Sequence, residues 1–312
     1  MAKVLTSPDG TPASRIAFGT MQFGGRADAD ASRAMFDASI TAGITHFDTA
    51  FVYNEGASEK LLGSMIGEMR DRLVIATKAA YTGGGSKKNI TETFEISRQR
   101  LDLEMVDILY MHRFDPDTDL HESMEAFAEL KQAGRIHYVG VSNFAAWQVV
   151  KANWIAAKFD LTVDILQPMY NLVKRQAEVE ILPMCADQGV ACAPYSPLGG
   201  GLLTGKYTSG GAGRLSEDDR YAARYGLDWM HNAAAQLAQV AADTGVDPAT
   251  LAVAWAARHP MGPTPIISAR SAEQLLPSLA AMEFEMDDAL YARISALSPT
   301  PPPATDRLEE QA

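Results

Sequence analysis

Ile44-Thr45-His46-Phe47-Asp48-Thr49-Ala50-Phe51-Val52-Tyr53 reads as a short buried strand that runs straight into a loop bearing a carboxylate and a phenol. Two later apolar runs end in the same manner. Leu73-Val74-Ile75-Ala76-Thr77 is followed by Lys78, and Ile108-Leu109-Tyr110-Met111 by His112. A single charged residue at a strand end is an ordinary solvated rim residue. Three consecutive strands that end in Asp, Lys and His, with a Tyr on the first loop, point instead to a shared site at one end of a sheet.

Outward from these strands the chain alternates regularly. Candidate strands are Ile16–Gly19, Thr45–Asp48, Leu73–Thr77, Met105–Tyr110, Ile136–Val141, Ile165–Gln167, Ala191–Pro194 and Thr264–Ile267. Helical periodicity separates them, over about Asp30–Ala42, Ser58–Ile66, Ile90–Leu101, Leu120–Ala133, Ala145–Ala156, Arg175–Gln188, Met230–Thr244 and Ala272–Ala281. Asp30 looks like a capped helix entry, Gly43 and Gly134 sit where a left-handed cap is wanted, and Asp247-Pro248 opens a further helix, Ala249–Ala257. Eight strand–helix units predict a parallel sheet covered by helices. An open doubly wound sheet would want a G-x-G-x-x-G turn after its first strand, and Gly19-Thr20-Met21-Gln22-Phe23-Gly24-Gly25 has the wrong spacing.

The expected fold is therefore α/β, a closed (β/α)8 TIM barrel whose site lies at the C-terminal ends of its strands. An N-terminal β-hairpin around Ser7-Pro8-Asp9-Gly10 should precede it. A long loop, Gly199 to Asp228, should follow the seventh strand as a lid or ligand clamp. Residues 1–312 are expected to form a single domain, with 298–312 as a flexible proline-rich tail.

At 47% hydrophobic residues the 312-residue chain can bury a large core, and its net charge of −12 argues against nucleic acid or an anionic membrane as partner. An acidic shell still permits a local basic pocket. Cys185 and Cys192 read as reduced buried thiols, and with no apolar signal core or membrane-length run the chain is expected to be soluble and cytoplasmic. The histidines show no metal-ligand spacing, so no metal is expected, and His46 reads as structural. Oligomeric state is left open.

The chemistry that fits Asp48, Tyr53, Lys78 and His112 is proton donation to a carbonyl oxygen while a cofactor delivers hydride. A lysine cation beside a tyrosine favours the phenolate and lowers its pKa. Lys78 needs a counter-charge when buried, which Asp48 provides, and His112 can hydrogen-bond the carbonyl. No side chain carries hydride, so a cofactor is required, and nicotinamide is the natural choice because the sequence shows no metal-ligand cluster.

These residues lie in longer matching stretches: Gly43 through Ala50 with Tyr53, Ser58-Glu59-Lys60-Leu61-Leu62-Gly63, Ala76-Thr77-Lys78, and Leu109-Tyr110-Met111-His112. Gly134-Arg135-Ile136-His137-Tyr138-Val139-Gly140-Val141-Ser142-Asn143-Phe144 and Tyr195-Ser196-Pro197-Leu198-Gly199-Gly200-Gly201-Leu202-Leu203-Thr204-Gly205-Lys206-Tyr207 follow. Together they make the sequence resemble the aldo-keto reductase superfamily almost to Glu283. The resemblance implies that Asp48, Tyr53, Lys78 and His112 are the catalytic tetrad.

It also implies a cofactor seat. Ser142, Asn143 and Gln167 would hold the carboxamide, and Tyr195 would stack on the nicotinamide. Gly19, Thr20, Met21 and Asp48 would flank it. Ser142-Asn143 also reads as a helix cap. Ser196, Pro197, Leu198, Gly199 and Gly200 offer open backbone to a pyrophosphate, with Lys206 closing over it. Ser268, Arg270 and Gln274 open the last barrel helix, where an arginine at a helix N-terminus suits an adenosine 2′-phosphate, so NADP(H) is expected over NAD(H). Ser278 completes the set, although the family usually shows Glu-Asn where this chain has Pro277-Ser278.

Phe23, Phe51, Tyr81, Phe114 and Tyr225 are the candidate substrate walls, and Gly83-Gly84-Gly85-Ser86-Lys87-Lys88 the candidate solvated loop. The expected function is NADPH-dependent reduction of a small-molecule aldehyde or ketone. A sugar dehydrogenase running in the oxidising direction and a non-catalytic NADPH-binding regulatory subunit are the alternatives. A hydrolase with paired carboxylates is disfavoured, because only Asp48 is a strand-end carboxylate.

Overall fold

In the computed structural model, which describes residues 3–207, 211 and 213–311, eight strands alternate with helices. β1 (Ala17–Gly19) leads to α1 (Ala29–Thr41), β2 (His46–Asp48) to α2 (Ala57–Ile66), β3 (Val74–Ala79) to α3 (Lys87–Leu101), and β4 (Val106–Met111) to α4 (Leu120–Gln132). β5 (Ile136–Ser142) leads to α5 (Ala146–Ala156), and β6 (Ile165–Gln167) to α6 (Ile181–Gln188). After β7 (Ala191–Cys192) the long connection folds into α7 (Arg214–Glu217) and α8 (Asp219–Tyr225). α9 (Asp228–Thr244) and α10 (Pro248–Arg258) precede β8 (Ile266–Ile267), and α11 (Ala272–Leu279) and α12 (Asp288–Ser295) follow it.

All strand pairs are parallel, in the order β7-β6-β5-β4-β3-β2-β1-β8. Closure comes just beyond β7. Thr264 and Ile266 donate their N–H groups to Cys192 O (2.8 Å) and Pro194 O (2.9 Å), and Tyr195 bridges Ile266 in parallel register. This is the expected (β/α)8 barrel.

Alternation along each strand sorts the side chains. Phe18, Phe47, Ile75, Leu109, Val139 and Leu166 face outward into the helix layer. Ala17, Val74, Ala76, Ile108, Tyr110 and Ile165 fill the interior. Gly140 on β5 makes room for the ring of Tyr110, since a Cβ there would come within 2.4 Å of it. The lower end is stoppered by the expected hairpin, whose Thr6–Pro12 bridge encloses a Ser7–Gly10 turn and sends Leu5 into the interior cluster. Thr6 N–H donates to Tyr138 Oη at 3.1 Å, and Lys3 pairs with buried Asp164. Among the described residues the hairpin covers the lower end, and the strand-end residues Asp48 and Lys78 lie at the upper one.

Several local expectations need correction. Asp28, not Asp30, caps α1, accepting from Ala31 N–H at 2.9 Å. α6 begins at Ile181 rather than Arg175, because Gln176–Glu178 forms a separate 3-10 turn. Lys87 and Lys88 begin α3 instead of lying in a loop: Ser86 caps that helix, and Lys87 pairs with Glu129 (2.5 Å). α12 and the helices of the long loop went unforeseen. Within that loop, Thr208, Ser209, Gly210 and Ala212 lie outside the described residues, as does Ala312 of the tail. Among the described residues no helix is long and apolar enough to cross a membrane.

The Gly140–Tyr110 contact is directly testable. Gly140→Ala should destabilise the fold by about 1–3 kcal/mol through overpacking, read as a lower urea midpoint. An unchanged midpoint would mean that the Tyr110 ring moves freely aside.

Candidate active site

Asp48 is the last residue of β2 and Lys78 the penultimate residue of β3, and both side chains turn into the barrel mouth. Lys78, only 1% exposed, donates through Nζ to Asp48 Oδ1 and, at 2.8 Å, to Thr49 O. Gln167, at the end of β6, donates through Nε2 to the other carboxylate oxygen, Oδ2, at 2.9 Å. The ammonium also lies 5.1 Å from the Tyr53 ring centroid and 5.7 Å from that of Tyr110. Burial works against the lysine charge, but Asp48 and then Tyr53 override it and hold the ammonium above its ordinary pKa.

Tyr53 sits on the loop after β2. Its ring meets that of His112 edge-on, centroids 6.1 Å apart. Next to it Asn54 and Glu55 are left-handed, at φ 49° and 56°. Asn54 can hold that conformation because its side-chain amide donates to Met21 O (2.9 Å) and Phe23 O (2.8 Å). Below the loop, Ser58 links Thr20 (2.8 Å) and Thr49 (2.9 Å). Buried Glu59 accepts from Thr77 Oγ1 (2.6 Å) and from Arg100 (3.1 Å), whose guanidinium also donates to Phe51 O (2.9 Å). These supports were not singled out from the sequence. Their signal was present in the Ser58-Glu59 match, but Arg100 lies 41 residues away on another helix.

The electrostatics correct one expectation. Lys78 does favour the Tyr53 phenolate, yet burial is the larger effect, and the phenol is held above its ordinary pKa. His112, just past β4, is pushed down to about 3 by burial and then by Lys78 and Arg113, so its imidazole is neutral near pH 7. His46, two residues below Asp48 on the same face, is pushed down to about 4 by burial, and its Nε2 has no partner among the described residues.

The other candidates divide. Ser142 Oγ donates to Gln167 O (3.0 Å), and Asn143, left-handed at φ 57°, donates to His112 O (3.0 Å) and accepts from Tyr195 Oη (2.8 Å). Neither caps α5. That position is Ala145, whose N–H donates to Gln148 Oε1 at 2.8 Å. Gly19 pairs with Asp48 in register, Thr20 is spent on the Ser58 cluster, and Met21 lines the cavity described next. Ser196 (φ 61°) turns the chain through Pro197 and Leu198 into a Gly199–Thr204 turn, with Lys206 alongside Gly201. Among the described residues Ser268 Oγ is buried without a partner. Arg270 donates its N–H to Gln274 Oε1 (3.1 Å) and pairs through its side chain with Glu217 (2.8 Å). Ser278 is only 1% exposed, within the fold beside the Thr250–Pro277 hydrogen bond.

A cavity of about 450 Å³ opens above Tyr53, between Met21, Arg26 and Asn54 on one side and Arg214, Tyr221 and Arg224 on the other. Of the five rings proposed as substrate walls, Tyr81 reaches His112 (4.8 Å between centroids). Phe23 and Tyr225 are buried, Phe51 lies under Arg100, and Phe114 packs on Phe144 and Trp147. Tyr221 is the wall residue that the sequence reading missed.

Residues 15–299 match a family model described as the aldo/keto reductase family. Similar proteins include an uncharacterized oxidoreductase, YrpG, of Bacillus subtilis, 32% identical over 94% of this chain and 94% of that protein. A probable voltage-gated potassium channel subunit beta of Arabidopsis thaliana is 32% identical over 88% of this chain and 89% of its own length. Aflatoxin B1 aldehyde reductase member 2 of Homo sapiens is 39% identical over 63% of this chain and 57% of its own.

The two buried imidazoles set a pH dependence. Below about pH 6.5 the unfolded chain binds protons that folded His46 and His112 refuse until about pH 4 and about pH 3. The stability they contribute is complete above that pH and is lost as pH falls. The loss approaches about 2.7 kcal/mol per pH unit where both are mismatched. His46→Gln should remove about half of that slope in urea unfolding between roughly pH 6 and pH 4.5; an unaltered slope would mean that His46 titrates normally.

Proposed function

The chain belongs to the aldo/keto reductase family, and from that premise we propose that it reduces aldehydes or ketones to alcohols with NADPH, Tyr53 giving the proton. The observation that carries this is the arrangement of Lys78. It is tied to Asp48 and Thr49 and set against the Tyr53 ring, with neutral His112 beside it.

The mouth suits a dinucleotide. Gly200 and Gly201 have φ of 67° and 96°, and Cβ atoms there would meet Tyr221 at 2.8 Å and Lys206 at 3.2 Å, so backbone stays open where a phosphate would lie. The buried, unpartnered Ser268 Oγ at the end of β8 wants a ligand hydrogen bond. NADPH, when bound, supplies the hydride. This chain's residues do the rest. The neutral imidazole of His112 offers an N–H to the carbonyl oxygen and orients it. A Tyr53 held above its ordinary pKa is fully loaded with its proton at neutral pH. It gives that proton up only as the carbonyl oxygen gains charge, when Lys78 stabilises the phenolate left behind. Asp48, Gln167 and Thr49 keep Lys78 in place. The raised phenol pKa favours reduction over the oxidising alternative, which needs the phenolate as base.

Arg270, beside the N-terminus of α11 and paired with exposed Glu217, supports the choice of NADPH, because a 2′-phosphate would replace that carboxylate. The channel-subunit relatives favour a second reading, a tight nucleotide binder with negligible turnover, and steady-state assays separate it from the first.

Tyr53→Phe should lower kcat by about 10²–10⁴-fold while NADPH affinity, read by fluorescence quenching, stays nearly constant; substantial residual turnover would require another proton donor. Arg270→Met should raise KM for NADPH about tenfold and change that for NADH little. Parallel changes for both nucleotides would remove Arg270 from 2′-phosphate recognition.

A further inference from the structure

We propose that Asn171, on the loop after β6, is a positioning residue for the cofactor. Its side-chain amide ties the turn that would seat the pyrophosphate to the α8 wall of the mouth, and that tie sets how long NADPH stays bound. This rests on the NADPH-dependent reading above and adds to it a residue outside both the tetrad and the cofactor seat.

The first observation is where the hydrogen bonds of this amide go. Asn171 is 0% exposed. Below it the pairing of β6 with β7 runs on past both strands: Tyr195 N–H donates to Pro168 O (2.9 Å), and Met169 bridges Tyr195 in parallel register. The next carbonyl along, Ser196 O, takes Asn171 Nδ2 at 2.9 Å, so a side chain continues the ladder where the backbone turns away. Nδ2 also donates to Tyr225 Oη at 3.3 Å, and Oδ1 accepts from Val173 N–H at 3.0 Å. The main chain of Asn171 exchanges hydrogen bonds with Lys174 at 3.3 and 2.9 Å. A primary amide has two N–H donors and a carbonyl acceptor. All of them are engaged inside the fold, which leaves the side chain one orientation.

The second observation is what the two partners carry. Ser196 is left-handed at φ 61°, a conformation that is costly for a non-glycine residue and persists where its surroundings fix it. Its carbonyl takes Gly199 N–H at 2.9 Å as well as the Asn171 amide, so the amide pins the entry to the Gly199–Gly201 backbone. Tyr225 ends α8 and is fully buried. Its ring stands 3.5 Å from where a Cβ on Gly199 would lie, and it stacks on Tyr221 with centroids 6.5 Å apart. Tyr221 in turn lines the cavity above Tyr53. One amide thereby holds both the backbone that would cradle a phosphate and the helix that walls the mouth.

The third observation is its separation from the reacting groups. Two amides divide the work of this segment: Gln167 donates to Asp48 at 2.9 Å and so braces Lys78, whereas Asn171 bonds the β7 turn and α8. Loss of Asn171 should therefore loosen the cofactor and leave proton transfer in the loaded enzyme nearly intact. The pairs of Glu217 with Arg26 and Arg270, which also hold the wall, are partly exposed and are screened by salt. A neutral amide–hydroxyl bond inside the fold is not screened, so this tie should hold at high ionic strength.

The test is a double-mutant cycle on Asn171→Ala and Tyr225→Phe in the full chain. It reads NADPH dissociation by stopped-flow fluorescence and hydride transfer to an aromatic aldehyde in a single turnover. We expect Asn171→Ala to speed dissociation about 10- to 100-fold, because buried groups lose their partner. Tyr225→Phe, which keeps the ring and removes one neutral hydrogen bond, should speed it about 3- to 10-fold. In the double variant Tyr225→Phe should add little to the effect of Asn171→Ala. The single-turnover rate at saturating NADPH should change less than about threefold, and the faster dissociation should persist at high salt. Multiplicative effects of the two substitutions would overturn the proposal. So would a single-turnover rate that falls as far as NADPH affinity does, because Asn171 would then be holding the tetrad. Should Asn171→Ala not fold, Tyr225→Phe decides alone, and dissociation as slow as in the wild type would count against the tie. A wild type that neither binds NADPH nor reduces aromatic aldehydes would instead sink the function on which the proposal rests.

Discussion

The ammonium of Lys78 is the constraint to which the rest of the site answers. Taking a lysine and an aspartate out of water costs several kcal/mol per ion unless the remaining donors and acceptors are met. Here they come from three strands. Asp48 on β2 takes Lys78 on one oxygen and Gln167, from the other side of the barrel, on its second, while Thr49 O takes another lysine proton. The pair is thus a tie across the barrel mouth. It depends on closure, because an open sheet would carry Gln167 and Asp48 on distant strands with no reason to meet. The β2–β3 register, Asp48 opposite Ala76, sets Lys78 two residues further along the same inward face.

A second buried ion pair repeats the device outside the barrel. Glu59 on α2 is fully enclosed and is met by Thr77 from β3 and Arg100 from α3. Arg100 then reaches Phe51 O, so the loop that presents Tyr53 is fastened from below by the same cation that neutralises Glu59. Removing either partner would leave a buried charge uncompensated, a loss of about 3–5 kcal/mol, and would release the loop as well. Position of the phenol and stability of the α2–α3 layer are therefore not separable properties of this chain.

Which parts were legible in the sequence follows from how local their causes are. Each strand is an apolar run with its own flanking signals, and the strand-end residues Asp48, Lys78 and His112 announce themselves because a charge abruptly follows that run. The barrel and the grouping of those residues with Tyr53 could be read on this basis. Arg100, Asn54 and Tyr221 could not, because each acts through partners distant in sequence and looks like an ordinary surface residue within its own segment. The direction of the Tyr53 shift was misjudged for a related reason. The nearby lysine is visible in the sequence, whereas the burial that outweighs it exists only after folding. The Gly199–Asp228 loop was recognised by its length, but α7 and α8 are too short for helical periodicity to show.

Attachment strength differs sharply between the two halves of the mouth. The floor is held by buried charge and by hydroxyls with every partner inside the fold. The wall contributed by the β7 connection is held largely at its surface, where Glu217 joins Arg26 and Arg270 through partly exposed side chains. Such pairs gain little in high dielectric and are screened by salt. Two rings are exceptions: Tyr225 is buried and takes a hydrogen bond from Asn171, and Tyr221 takes one from Arg214 and lies against the guanidinium groups of both Arg214 and Arg224. The wall thus meets the rest of the fold through two aromatic rings, one buried and one with cations against it. A change of charge in the cavity acts on Tyr221 and on Tyr53 alike, since both rings line it.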